Sequence, residues 1–118
     1  MYLKISEDAK SKIMKLMGND SEILLDFDDG VGALSNEGTC TLDSSFRMLV
    51  IDDQNDSKAY DGTIDSDLGP IRVKEYSKTY MDENMQLVVN ERFNSLALHG
   101  DNSGLLTGNV TLESLVKN

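Results

Sequence analysis

Apolar residues along this chain fall in short groups whose period changes from one group to the next. Tyr2 to Ile5 alternates and predicts a short strand. Ser6 follows as a helix N-cap, with Glu7 and Asp8 in a first turn where the helix dipole favours anions. Ala9, Ile13, Leu16 and Met17 recur at helical spacing, Lys10, Lys12 and Lys15 fall largely on other faces, and Gly18 supplies a C′ residue. Glu22 to Phe27 returns to a period of two, with Ile23, Leu25 and Phe27 on one face. Phe46 to Ile51 is nearly continuous in apolar character, which predicts a central strand covered on both sides.

Between these strands, residues 28–45 lack periodicity and carry Gly30, Gly32, Ser35, Gly38 and Ser44. Connections of that length are uncommon in small domains and often functional, so the segment is read as an interaction loop, with Asp28, Asp29, Gly30, Gly32 and Gly38 its candidate residues. Asp52 to Ser57 is turn-like, Ala59 to Asp65 a weaker strand, and Leu68-Gly69-Pro70 a turn. Ile71 to Tyr76 alternates, Ser77 to Asp82 suits one helical turn, and Met85–Val89 and Ser95–His99 read as two further strands. From Gly104 onward Leu105, Leu106, Val110, Leu112, Leu115 and Val116 make the tail more apolar than a free end should be. It is expected to dock on the body of the domain or on a second copy of the chain, as a homodimer. The pattern predicts a small α+β domain, mainly β, with one N-terminal helix covering a sheet face.

Length and charge narrow the function. The 118 residues suffice for one domain, 1–118. A formal charge of −10 repels phosphate backbones, and neither Lys4, Lys10, Lys12 and Lys15 nor Arg72, Lys74 and Lys78 are interleaved with stacking aromatics; nucleic acid is not an expected partner. No apolar run approaches the roughly 20 residues that span a bilayer, and Met1–Lys4 leads into a helix pattern rather than a signal sequence. A cytoplasmic location, no membrane contact and a reduced thiol at Cys40 are therefore expected.

Chemistry-bearing motifs are few. The one cysteine, Cys40, and the one histidine, His99, lie some sixty residues apart without the local signature of a nucleophile pair, so no catalytic residue is assigned and the chain is read as a non-enzyme. Gly30-Val31-Gly32 lacks the third glycine of a dinucleotide loop. Asp26, Asp28, Asp29 and Glu37 have the outer spacing of a calcium loop, but Gly30 stands where a fifth-position ligand belongs, Val31 replaces the sixth-position glycine, and a strand precedes instead of a helix. Asp52, Asp53 and Asp56 read as a solvated turn, with a weak divalent-cation site as the alternative.

The order strand, helix, strand, Gly-rich loop, strand, then Gly69-Pro70-Ile71-Arg72-Val73 leading to Tyr80-Met81-Asp82, resembles the HesB-like family of A-type iron–sulfur cluster biosynthesis proteins. The segments 23–30, 47–52 and 69–90 carry the resemblance, with 93–98 and 100–104 matching the family's last strand and tail; it resembles a cysteine-poor bacterial branch. The resemblance implies a HesB-like domain whose helix packs on a mixed or antiparallel β-sheet sandwich. It also implies a site for iron or a [2Fe–2S] cluster built from one loop cysteine and a Cys-x-Cys pair near the C-terminus. Here the loop cysteine corresponds to Cys40, or Val31 takes its place, and Leu105 and Thr107 stand about where the pair would fall. Soft iron sites need several thiolates, so the expectation is a non-enzymatic protein of iron–sulfur cluster biosynthesis with a degenerate metal site and iron–sulfur assembly proteins as partners. Two alternatives stay open: an iron or [2Fe–2S] carrier in which Cys40 acts across a dimer, meeting a second Cys40, His99 or an external thiol, and a carboxylate-based divalent-metal binder or interaction module.

Overall fold

In a computed structural model, whose described residues are 1–28, 45–53, 55–92 and 95–116, every strand finds two neighbours and the sheet has no edge. The strands are β1 (Tyr2–Ile5), β2 (Glu22–Asp28), β3 (Ser45–Ile51), β4 (Gly62–Ser66), β5 (Ile71–Val73), β6 (Asn84–Asn90), β7 (Ser95–Gly100) and β8 (Gly104–Ser114). They close in the order β1-β4-β5-β2-β3-β8-β7-β6. The expected α+β sandwich with a helix laid on a sheet is therefore wrong: the architecture is a closed eight-stranded β-barrel with one short helix.

The apolar tail is the reason. It runs as an eleven-residue strand, β8, antiparallel to β7 and parallel to β3, so that Leu96 faces Val110 and Arg47 faces Thr111. At the other seam β1 pairs in parallel with both β4 and β6. Closure satisfies the backbone donors and acceptors that two sandwich edges would have left open. The tail thus docks on the body of its own chain.

Side-chain alternation then builds two apolar layers. Ile23, Leu25 and Phe27 of β2, Met48 and Val50 of β3, and Val110 of β8 point inward to the main core, while Leu24, Leu49 and Ile51 point outward and are buried with Tyr60. The crossover between β3 and β4 carries Tyr60 and covers this outer patch, which explains why β3 is apolar on both faces. Helix α1 (Glu7–Met14) begins as expected, with the Ser6 hydroxyl accepting from the Ala9 N–H at 3.3 Å. Ala9 and Ile13 join the inner core at the barrel end where β1 finishes. The helix stops four residues before Gly18, because Leu16 and Met17 bond back to Ile13 and Met14 in the tighter three-residue pattern.

Strand polarity sorts the connections. The 74–83 segment between β5 and β6 and the β7–β8 hairpin share the barrel end opposite α1, where β2 ends and β3 begins.

Candidate functional site

Away from the helix, where β2 ends and β3 begins, the outward positions change from apolar to charged, and residues that follow β5 and close β8 join them. Asp26 on β2 and Arg47 on β3 are cross-strand partners, Lys74 follows β5, and Glu113 lies on β8. Arg47 donates through Nε at 3.0 Å and Nη2 at 2.6 Å to one Asp26 oxygen, and through Nη1 to Glu113 at 3.2 Å. The Lys74 ammonium lies 3.2 Å from the other Asp26 oxygen, donates to the Phe27 carbonyl at 3.2 Å, and sits 5.6 Å from the centre of the Tyr60 ring. Asp26 and Lys74 are fully buried and Arg47 nearly so. Two cations share one buried carboxylate, and the half-exposed Glu113 balances the set. Such a cluster tolerates burial only while each charge keeps its partner. It ties β5, β2, β3 and β8 together two ladder pairs inside the Asp28–Ser45 pair.

The inward side of the same level is aromatic. Phe27 and Phe46 face each other across the ladder with ring centres 5.1 Å apart, and Tyr80 stacks on Phe27 at 4.4 Å. Tyr80 ends a 3₁₀ segment, Glu75–Tyr80, held at its start by the Ser77 N–H and hydroxyl, both donating to the Lys74 carbonyl. The helical turn expected at 77–82 therefore begins two residues earlier, and the strand expected to run to Tyr76 ends at Val73.

Beside it, Asp82 holds the β7–β8 hairpin. Its carboxylate accepts from the Ser103 N–H at 2.7 Å, the Ser103 hydroxyl at 2.7 Å and the Asn102 N–H at 2.9 Å. The Ser103 backbone N–H above all, then its hydroxyl and the Asn102 N–H, hold the Asp82 carboxyl below its ordinary range. The fit requires glycine at position 100, where a Cβ would stand 2.0 Å from an Asp82 oxygen. Gly104 closes the hairpin at a φ of 73°.

The residues singled out from sequence do not come together. Cys40, Asp29, Gly30, Gly32 and Gly38 lie outside the described residues, and so does the 28–45 loop reading apart from its two ends, where Asp28 pairs with Ser45 in the β2–β3 ladder. His99 lies on β7, partly buried, opposite Gln86 on one side and Leu105 on the other. Leu105 is 59% exposed, and the partly buried Thr107 accepts an N–H bond from Asn109 through its hydroxyl. Asp26, first considered as a calcium ligand, is committed to Arg47 and Lys74. Asp52 is buried, not solvated; its N–H donates to the Asn55 side chain in a tight turn. Sequence reasoning missed Arg47 and Lys74. For Arg47 the signal was parity: it is a charge at an outward position of β3, whose next outward neighbours, Leu49 and Ile51, are covered.

Among the described residues no group of three or more His, Cys, Asp or Glu side chains is placed to hold a metal ion. The thiolate pair that the resemblance implies does not fit the β7–β8 hairpin, where Leu105 offers no donor and Thr107 a hard hydroxyl. No described helix is long and apolar enough to cross a membrane.

The C-terminal strand closes the barrel and sets Leu105 opposite His99 and Thr107 opposite Leu98, and barrels of this topology have known relatives. The family described as iron-sulphur cluster biosynthesis matches residues 1–114, and the chain belongs to that family. It is similar to the crystal structure of a candidate Fe–S biosynthesis protein from Lactobacillus salivarius, described as having a novel fold: 40% identity, TM-score 0.90, covering 99% of this chain and 100% of that one. A second candidate Fe–S biosynthesis protein, from Lactobacillus acidophilus, shares the fold at TM-score 0.72 and 24% identity, covering 97% of this chain and 90% of that one. Among curated proteins none matches.

Proposed function

We infer that this protein serves iron–sulfur cluster biosynthesis as a non-enzymatic binding protein and does not itself carry a cluster on thiolates. The observation that carries this reading is the hairpin after His99. Its backbone is held by Asp82 and shaped by Gly100 and Gly104, yet its side chains at 105 and 107 are leucine and threonine. A hairpin kept in shape without its donors supports use as a surface, and the exposed Leu105, Tyr76 and Tyr80 at the same barrel end are in keeping with that use. One remaining sulfur competes poorly with water and cellular thiols for iron.

The test is reconstitution. The protein is purified without oxygen, supplied with ferrous iron and sulfide, desalted, and read for bound iron and visible absorption beside Cys40→Ser. Equal, near-zero iron in both proteins is the expected result. Stoichiometric iron with colour, lost in Cys40→Ser, would overturn the reading in favour of a carrier using Cys40 between subunits. Stabilisation by calcium or magnesium in a thermal melt would point instead to carboxylate metal binding.

A further inference from the structure

At the other barrel end, where α1 lies beside β8, an open groove of about 560 Å³ runs between the helix and the strand. Leu16, Val110 and Leu112 line it with aliphatic side chains, beside the polar Ser95, Asn109 and Thr111. The ionisable residues lining it are Lys12 and Lys15, with no carboxylate among them. In a chain of net charge −10 that local balance runs against the whole surface. Neither lysine is held in a close ion pair within the fold. Lys10 pairs with Glu7, Arg72 with Glu22 and Lys78 with Glu75, whereas among the described residues neither Lys12 nor Lys15 has a carboxylate within 4 Å. A second depression of about 380 Å³ continues from the same two lysines across the helix to Val89 and Glu91 of the β6 side.

We propose that this track binds an extended acidic segment of a partner protein, with carboxylates over Lys12 and Lys15 and an aliphatic side chain on Leu16, Val110 and Leu112. Charge complementarity selects the acidic character, since Lys12 in the last turn of α1 and Lys15 at its C-cap bring two positive heads to the same groove. The aliphatic lining selects a neighbouring apolar side chain. The continuation past the lysines favours a chain over a small anion, which would occupy only the middle. Asp8 and Glu91 line this continuation with the same lysines and add negative charge, so a basic residue of the segment belongs beside them. The proposal does not depend on whether the protein carries iron.

The chain's overall charge makes the opposite prediction, which gives the test its force. Labelled full-length protein is applied to an array of acetylated pentapeptides covering every arrangement of Glu, Lys, Leu and Ser, and the best binder is titrated by fluorescence anisotropy. Peptides pairing Glu with Leu are expected to lead. Their affinity should fall at least tenfold in Lys12→Gln/Lys15→Gln, remain unchanged in Lys58→Gln, and weaken with salt, while the melting temperature of each variant reports that the fold persists. Lysine-rich peptides leading the array, no acidic binder at all, or indifference to the double variant would each overturn the proposal. Competition by acetate or inorganic phosphate at equal concentration would overturn it too, reassigning the groove to a small anion.

Discussion

Replacing Asp26 by Asn keeps the shape of the side chain and removes the charge on which two buried cations rest. The Lys74 ammonium at 3.2 Å attracts that carboxylate by about 5 kcal/mol at an effective dielectric of roughly 20. Arg47, closer still, contributes a similar gross term. Most of this offsets the desolvation of the three groups, so the pair energies are not stability. What the substitution exposes is the uncompensated remainder, about 3–5 kcal/mol when one partner of a buried ion pair is deleted. At roughly 4 °C per kcal/mol for a chain of this size, Asp26→Asn should lower the melting temperature by about 12–20 °C. Lys74→Met removes one cation, leaves Arg47 on the carboxylate through two bonds, and should cost clearly less. Calorimetry and urea unfolding of the two variants and their double mutant measure both terms. A cost below about 1 kcal/mol for Asp26→Asn, or a larger cost for Lys74→Met, would refute the view that the carboxylate is the centre of the cluster.

Gly100→Ala should destabilise the chain by about 1–3 kcal/mol through collision with Asp82, and adding Asp82→Ala should recover part of that loss, a non-additivity readable in urea midpoints. Acid should weaken the fold through Asp67 and Asp82. Asp67 is held low first by the Tyr2 hydroxyl and then by the Ile5 N–H, and Asp82 chiefly by Ser103. Because both native values lie below the ordinary 3.8, their contribution is full above that value and is lost as pH falls through the native ones; urea midpoints taken from about pH 6 to about pH 3 should fall less steeply in Asp67→Asn/Asp82→Asn.

The strands, the helix N-terminus and the inward faces were legible because each is written in neighbours along the chain. Ile23, Leu25 and Phe27 share a face by period alone, and Ser6 caps its helix within three residues. The helix C-terminus was misplaced because Gly18 is a stop signal, while the tighter bonds to Ile13 and Met14 that end the helix early carry none. The tail was legible as apolar but not as a strand. Leu106, Val110 and Leu112 sit on alternate positions interrupted by Gly108, so their shared face emerges only when β7 and β3 lie on either side.

Of the candidate site, sequence supplied the absence of a C-terminal thiol pair and the hairpin glycines, both of which are matters of residue identity. It could not supply the buried cluster, because Asp26, Arg47, Lys74 and Glu113 lie up to eighty-seven residues apart and meet only after β5, β2, β3 and β8 are laid side by side. Nor could it choose between sandwich and barrel. Alternation dictates which face of each strand is buried, and both architectures bury the same face. The choice rests on whether the first and last strands find partners, a long-range pairing settled here by β1 between β4 and β6 and by β8 between β7 and β3.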